Sequence, residues 1–383
     1  MARDFDTARR RLPLIVGGVG IAAGAIIGVW PRGEEEERSE DAGPVASASA
    51  SATVTASAPS ATPRPRYVPP DLSGPDIGDV VVASAAYAAG LWAGERELWW
   101  LTTKGAKLGT SRRDGGDASL VDAPDADEDT DVGGSLAVAP DHVFFSRSGR
   151  ATITRMTRGD GRAPTVFLDT SATEPQIVVF DREIWWTDRD GIWKSPVDTA
   201  QPRRVATLSG MVTSLAAGPD GVGWLVAPRT PDAPHALFVS PAGEGSSARR
   251  TTLPATERDS LALTAEGAYY AESTVEPDGS ERGTLVQRQE AMAPRPLRQS
   301  GLISHLTVDG ARLVWTEVYI DQKVSLLLSS ALDGTNVVRH GRIQGFVTAL
   351  VARDGYVYWS GARGIERASS GPRGTMPLPV RPK

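Results

Sequence analysis

The densest group of side chains that could bind a cation lies between residues 114 and 133 of the 383-residue chain. Carboxylates stand there at every second position, at Asp125, Asp127, Asp129 and Asp131. Alternate carboxylates at the start of a loop are typical of calcium sites. The match is partial, because Thr130 stands where such loops require glycine and Leu136 where they place a glutamate. Three interpretations stay open: a solvated acidic loop, which we favour, a calcium site, or a contact with a partner. Calcium is the one cofactor that this segment would hold.

Other catalytic chemistry has little support in the sequence. The four histidines form no pair at helical metal-site spacing, and we expect isolated surface residues at His142, His235, His305 and His340. The chain has no cysteine, which excludes disulfides, thiolate catalysis and cysteine metal sites. It also has no G-x-S-x-G nucleophile elbow and no Walker loop. We therefore predict no catalytic residue.

Composition and charge narrow the class of protein. Glycine and proline together number 40 + 28 = 68 residues, which indicates many turns and hence many short strands. Ten tryptophans also favour strands. The net charge of −6 argues against a nucleic-acid partner, which would require a basic face. An all-β protein is expected.

The N-terminus predicts membrane attachment. Residues 12–30 carry no charge, and 19 residues at about 1.5 Å each span roughly one bilayer core as a helix. Four arginines precede this segment and four glutamates follow it. The positive-inside rule then places residues 1–11 in the cytoplasm as a short stub and the rest of the chain on the periplasmic or extracellular side. The segment is either a retained signal anchor or a cleaved export signal, the latter suggested by the Arg9–Arg10 pair.

A linker follows the apolar segment. Residues 31–75 open with an acidic cluster, continue as alternating Ala, Ser and Thr over 42–62, and end in a Pro-rich stretch. This composition cannot bury a core, so disorder is expected. The linker would keep the folded part near the membrane.

Residues 76–383 repeat a unit of about 44 residues. Each copy is an apolar strand, a turn built mostly on Asp or Gly, and a strand with large aromatics; the copies are 90–101, 135–146, 177–188, 215–225, 261–271, 306–316 and 350–360. A period near 40 suits four short strands with turns, the blade of a β-propeller. The sequence therefore predicts a seven-bladed β-propeller over 76–383, with six or eight blades as alternatives.

The aromatic residues of the copies are predicted to form the core between blades. The second aromatic of each pair is Trp100, Phe145, Trp186, Trp224, Tyr270, Trp315 or Trp359. One blade cannot bury both of its faces, so neighbours must stack on these side chains. Residues 79–84 are a strand left over before the first copy, and we predict that they pair with the last blade and close the ring.

One copy resembles a known family. Trp185-Trp186-Thr187-Asp188 within 183–208 is similar to the YWTD repeat of propellers of the low-density-lipoprotein-receptor type, and Tyr358-Trp359-Ser360-Gly361 is a looser copy. The chain is also similar to propeller repeats of uncharacterised extracytoplasmic bacterial proteins. YWTD domains have six blades, so the resemblance supports the blade and not the number of blades. It implies a platform that binds a protein or another ligand, and it transfers no catalytic residue.

Two functions therefore remain. The first is a membrane-tethered binding or scaffold propeller without enzymatic activity; the alternative is a lactonase, lyase or quinoprotein enzyme with its site in the central channel. Such enzymes need converging carboxylates, histidines or a metal, whereas the predicted inner strands are mostly Leu, Ala and Val. The first is preferred. We expect the partner to contact loops that join one blade to the next, and we assign to that set 122–131, 241–254 and 291–299.

Overall fold

The computed structural model describes residues 21–22, 71–73, 75–103, 107–122, 133–160, 162–230, 233–242, 248–253, 257–275, 281–289 and 292–371. Most of the predicted membrane helix, the linker up to residue 70 and the acidic Asp125–Asp131 stretch lie outside these residues. The described part of the chain contains no helix able to cross a membrane.

The protein is a seven-bladed β-propeller of antiparallel four-stranded sheets. Blades 1 to 3 are β3 (Gly90–Ala93), β4 (Glu97–Leu101), β5 (Lys107–Arg112) and β6 (Ser119–Asp122); β7 (Gly134–Val138), β8 (His142–Arg147), β9 (Thr152–Thr157) and β10 (Thr165–Asp169); and β11 (Ile177–Phe180), β12 (Glu183–Asp188), β13 (Gly191–Pro196) and β14 (Arg203–Thr207). Blades 4 and 5 are β15 (Gly210–Gly218), β16 (Gly221–Pro228), β17 (His235–Pro241) and β18 (Arg249–Leu253); and β19 (Glu257–Thr264), β20 (Gly267–Val275), β21 (Glu281–Arg288) and β22 (Arg295–Ser300). Blade 6 is β23 (Leu302–Asp309), β24 (Arg312–Tyr319), β25 (Val324–Ala331) and β26 (Val338–Gln344), and blade 7 is β27 (Ala349–Arg353), β28 (Tyr356–Gly361), β29 (Gly364–Ser369) and β2 (Asp79–Val82). The prediction of seven blades is confirmed, and every repeat copy forms the first two strands of a blade.

The repeated aromatics are the core. All seven predicted side chains are buried, and the clusters they join are built from residues of neighbouring blades. The turns behave as their sequences require: Asp354 and Gly355 have φ of +50° and +79°, the pair of positive values that a tight hairpin needs.

The ring closes through the N-terminal strand, as predicted. β2 pairs antiparallel with β29 and supplies the fourth strand of blade 7, with Val80 opposite Glu366. Just before it, Ile77 is buried against blades 6 and 7 and donates its backbone N–H to the carbonyl of Arg342 (2.8 Å). Arg363 donates from its guanidinium to the carbonyl of Ile77 (3.0 Å). The closure is therefore a strand exchange between distant parts of the chain.

An arginine clamp joins blade 1 to blade 7 at the same seam. Arg113 donates to the hydroxyl of Tyr358 (2.9 Å), to the carboxylate of Asp354 (2.9 Å) and to the carbonyl of Arg353 (3.0 Å). Its guanidinium also lies 5.4 Å from the centroid of the Tyr358 ring. Because Arg113 belongs to blade 1 and its partners to blade 7, this one side chain ties the last blade to the first.

The connections between strands fall on two opposite faces, because successive strands alternate in direction. The first, which we call the rim face, carries two kinds of connection: the turn between the second and third strands of a blade, and the segment that leads from the fourth strand to the next blade. The second, which we call the hairpin face, carries the turn between the first and second strands and the turn between the third and fourth strands. The segments 242–248 and 289–294 join β17 to β18 and β21 to β22, so they lie on the hairpin face. The prediction that 241–254 and 291–299 join successive blades is therefore wrong, except that 254–256 does lead from β18 to β19.

Two residues of the predicted membrane segment are described. Ile21–Ala22 (β1) lies antiparallel to β7, with Ile21 opposite Ser135. At these two residues the structure has a strand where the sequence predicts a helix.

Candidate binding face

The predicted acidic site lies on a connection of the rim face. β6 ends at Asp122, whose carboxylate is 3.1 Å from the ammonium of Lys107, and β7 begins at Gly134. The segment between them therefore joins blade 1 to blade 2. Asp125, Asp127, Asp129 and Asp131 lie outside the described residues, and their prediction as a calcium or partner site stays a prediction. Among the residues that the structure does describe, no three His, Asp or Glu side chains converge as metal ligands.

Three adjacent blades are taller than the others on the rim face. In blade 7 the pairing of the first two strands ends one residue beyond Trp359, at Ser360. In blade 4 it continues four residues beyond Trp224, to Pro228 opposite Gly210. In blades 5 and 6 the pairing continues three residues beyond the aromatic, to Ser273 after Tyr270 and to Val318 after Trp315. We call these extensions of β15–β16, β19–β20 and β23–β24 the long-hairpin wall.

Each long hairpin contains a β-bulge at the base of its extension. The extra residue is Thr213 in blade 4, Ser260 in blade 5 and Ser304 in blade 6. A bulge bends its strand and redirects a side chain, and bulges are frequent next to functional sites. Because all three extra residues carry a hydroxyl, the wall begins at a level where polar groups replace the apolar alternation of the strands.

Hydroxyl groups at this level link the inner strands of neighbouring blades. Ser135 accepts from the backbone N–H of Ile177 (2.9 Å), and Ser214 accepts from that of Leu261 (3.1 Å). Further bonds run from the Ser260 hydroxyl to the Ser304 carbonyl (3.2 Å) and from the Thr348 hydroxyl to the Ala88 carbonyl (3.0 Å). The inner strands of neighbouring blades do not pair with each other through their backbones. These short polar side chains supply hydrogen-bond partners to backbone groups that would otherwise lack them.

A buried histidine lies in this layer. His305 Nδ1 is 3.0 Å from the Ser304 hydroxyl, which is itself 2.6 Å from the Thr316 hydroxyl. Desolvation by burial lowers the pKa of His305 to about 4, and a hydrogen bond to the backbone of Thr348 in blade 7 opposes the shift. The imidazole is thus neutral at physiological pH. The expectation of an isolated surface histidine is wrong here, because the bulge at Ser304 turns His305 inward.

A buried carboxylate lies nearby in the same wall. Glu317, two residues beyond Trp315, accepts from the hydroxyls of Ser300 and Tyr319, the latter at 2.8 Å. The indole N–H of Trp315 lies 3.4 Å from its Oε1 atom. Three donors from within the blade therefore surround this buried carboxyl group and satisfy most of its capacity to accept hydrogen bonds.

The rim face also exposes large apolar side chains. Met211, at the top of the wall, is 68% exposed, and Ile320 in a turn of blade 6 and Tyr87 before β3 are exposed as well. On the hairpin face only Met292 is comparably exposed among the residues with described side chains. Recognition surfaces combine such apolar groups with a rigid scaffold. The rim face is therefore the candidate binding face.

The sequence contained a signal for the wall that its reading missed. Before two of the copies stand polar-interrupted β-type stretches, GMVTS and GLISH, which end at Ser214 and His305, whereas the ERDS that ends at Ser260 carries no such signal. Alternation broken by a Ser or Thr is compatible with a bulged strand. Starting each copy at its first apolar run therefore cut the strands of blades 4 to 6 short.

Comparisons with known proteins establish the fold and nothing narrower. No family model and no curated protein matches the chain. Among solved structures, YCF48 from Cyanidioschyzon merolae is 12% identical over 72% of this chain and 93% of that chain, with a TM-score of 0.53. The extracellular domain of a putative hybrid two component system from B. thetaiotaomicron is 12% identical over 74% of this chain and 38% of that chain, with a TM-score of 0.53.

A third similar structure is a puromycin-hydrolyzing peptidase from Mycobacterium tuberculosis. It is 14% identical over 74% of this chain, with a TM-score of 0.51, and this chain spans about half of it, 51%. Identities this low show a shared fold and no shared activity. The YWTD resemblance stays a prediction. The chain is a seven-bladed β-propeller, and its function has to be argued from its own surfaces.

Proposed function

We propose that the protein is a membrane-tethered, extracytoplasmic propeller that binds a protein ligand or scaffolds a complex on its rim face, without catalysis. The observation that carries the proposal is the exposure of Tyr87, Met211 and Ile320 on that face. A propeller fixes its loops on a rigid ring, so a partner meets these side chains already in place and little ordering entropy is lost on binding. Nucleic acid is not expected as a partner, and calcium remains a proposal for the acidic connection.

Two buried polar groups of the long-hairpin wall, His305 and Glu317, favour binding over catalysis. His305 is neutral and Glu317 is surrounded by donors, and both are buried in hydrogen bonds within or between blades. A general acid or base must instead reach the proton that it transfers. The alternative of a channel enzyme therefore has no accessible acid–base pair in these two residues.

The rim face can be tested by photo-crosslinking in intact cells. A photoreactive amino acid in place of Met211 is expected to capture a discrete protein partner, while the same group in place of Met292 on the hairpin face is not. Both methionines are exposed, at 68% and 60%. The two positions therefore differ in the face on which they lie, while their accessibility is nearly the same. Equal capture from both positions, or capture from position 292 alone, would contradict the proposed face.

The membrane part of the proposal depends on the length and the apolar character of residues 12–30. Nineteen uncharged residues are long enough to span the bilayer core, and their apolar side chains favour insertion by roughly 0.3–0.6 kcal/mol each.

Protease accessibility tests this topology. Protease added outside spheroplasts is expected to cut within residues 42–62 and release the propeller, because the arginines before the anchor hold the N-terminus inside. A cytoplasmic protein, which must stay uncut, serves as the control for spheroplast integrity, and the periplasm-facing domain of an unrelated anchored protein serves as the control for protease activity. Protection of the linker in intact spheroplasts would reverse the orientation.

A further inference from the structure

The outer strands divide the circumference of the propeller by charge. In blades 3 to 6 these strands, β14, β18, β22 and β26, carry eight arginines and no acidic residue: Arg203, Arg204, Arg249, Arg250, Arg295, Arg298, Arg339 and Arg342. In blades 7, 1 and 2 the outer strands β2, β6 and β10 carry three aspartates and no basic residue: Asp79, Asp122 and Asp169. We call the first arc the arginine rim; it lies on the circumference of the ring and is distinct from the rim face.

Protection of sheet edges does not explain this division. Charged residues on edge strands prevent edge-to-edge pairing, but that need is equal for all seven blades. The outer strands of the other arc instead expose apolar side chains, at Val80, Leu120 and Val166. The arginines are thus concentrated on one side of the ring, and those of β14 pair with Glu183 and Asp190 of their own blade.

One end of the arginine rim already holds a piece of the N-terminal chain. Arg342 pairs with Asp76 (Nε to Oδ1, 2.7 Å), and Arg339 donates to the backbone carbonyls of Asp71 and Ser73. Leu72 packs against the apolar cluster shared by blades 5 and 6, and so does Leu297 of β22. The described N-terminal segment therefore begins, at Asp71, on the arginine rim of blade 6.

A strongly acidic segment lies a short distance upstream. Residues 34–41 hold five glutamates and one aspartate against one arginine, a net charge of −6 + 1 = −5. The 30 residues from Asp41 to Asp71 have a typical span of about 30 Å as a flexible chain. A tether of that length gives an effective concentration of the order of millimolar at nearby surfaces.

We propose that the acidic segment 34–41 docks in cis on the arginine rim of blades 4 and 5. Opposite charge and the point at which the chain leaves the ring both direct the segment there, and the contacts of Asp71 to Asp76 with β26 extend along the same surface. Docking would hold the propeller close to the end of residues 12–30. The inference concerns the outer edge and does not depend on what the rim face binds.

The absence of cysteine makes a direct test possible, because engineered cysteines are the only thiols. Ser39→Cys is combined in the full-length protein either with Thr252→Cys on β18 or with Ser119→Cys on β6. Both outer positions are exposed, and blades 4 and 1 lie two blades from blade 6 in opposite directions. The two pairs are thus matched in distance from the point where the chain leaves.

At low salt and high dilution the Thr252 pair is expected to form its intramolecular disulfide about tenfold faster than the Ser119 pair. The preference should disappear in 1 M salt, which screens exposed charges within about 3 Å, and in a chain whose glutamates at 34–37 are replaced by Gln. Equal rates for the two pairs at low salt would overturn the proposal. So would a preference that survives the Gln replacements, since it would then come from chain geometry and not from charge.

Discussion

A chain that lacks residues 76–84 is expected to melt about 10 °C or more below the full-length protein. The deletion removes β2 and with it the fourth strand of blade 7. It also removes two buried aliphatic side chains, Ile77 and Val82, each of which contributes about 1.5–3 kcal/mol. With the backbone hydrogen bonds of β2 at about 1 kcal/mol each, the loss reaches about 5 kcal/mol, and each kcal/mol shifts the melting temperature by about 2–4 °C for a domain of this order of size. Differential scanning calorimetry measures the shift.

A matched pair of point variants tests whether the lower melting temperature comes from the loss of ring closure or only from the shorter chain. Val82 is 4% exposed and Val80 43% exposed, although both lie on β2. Val82→Asn places an amide among the apolar side chains of blades 7 and 1 and should reproduce much of the deletion's effect. Val80→Asn should cost less than about 1 kcal/mol, because it adds no charge opposite Glu366. If the two variants melt together, or if the deletion leaves the melting temperature unchanged, the strand exchange does not hold the ring.

The blade repeat could be predicted from the sequence because its signals are local. Alternation, a turn pair such as Asp354–Gly355 and a buried aromatic such as Trp359 all fall within a dozen residues of each other. The closing strand was also predictable, since one apolar strand remained before the first copy and an open ring leaves one blade a strand short. Local pattern and global fold agree here, as they do in sequences that fold to one structure.

The rest depends on contacts between distant residues. The face on which a connection lies follows from the number of strands before it, and the outer strands of blades 4 and 5, β18 and β22, are short, arginine-rich and weakly patterned. Missing them moved two loops to the wrong face. The inward position of His305 depends on a bulge at Ser304 and on Thr348 of the next blade, which no local pattern contains. The division of charge around the ring is visible only once every outer strand has been identified.

His305 gives the second large effect, a loss of stability in mild acid. Burial lowers its pKa from 6.5 to about 4 in the folded protein. Between these values the unfolded chain binds a proton that the folded ring does not, so the free energy of unfolding rises with pH. The contribution of His305 is fully present above pH 6.5 and is lost as the pH falls toward 4. A pKa lowered from 6.5 to about 4 corresponds to about 3 kcal/mol over this range.

The His305→Gln variant isolates that contribution. Glutamine can still donate to a neighbouring carbonyl but does not titrate, so the variant should lose about 3 kcal/mol less than the wild type between pH 7 and pH 4 in urea unfolding. Carboxyl groups such as that of Glu366, whose pKa is raised by burial, are common to both proteins, so their titration cancels in the difference. A lower stability of the variant at pH 7 would show only the cost of repacking. Parallel pH profiles would show instead that the imidazole is solvated in the folded ring, and the hydroxyl layer between blades 6 and 7 would then have to be open to water.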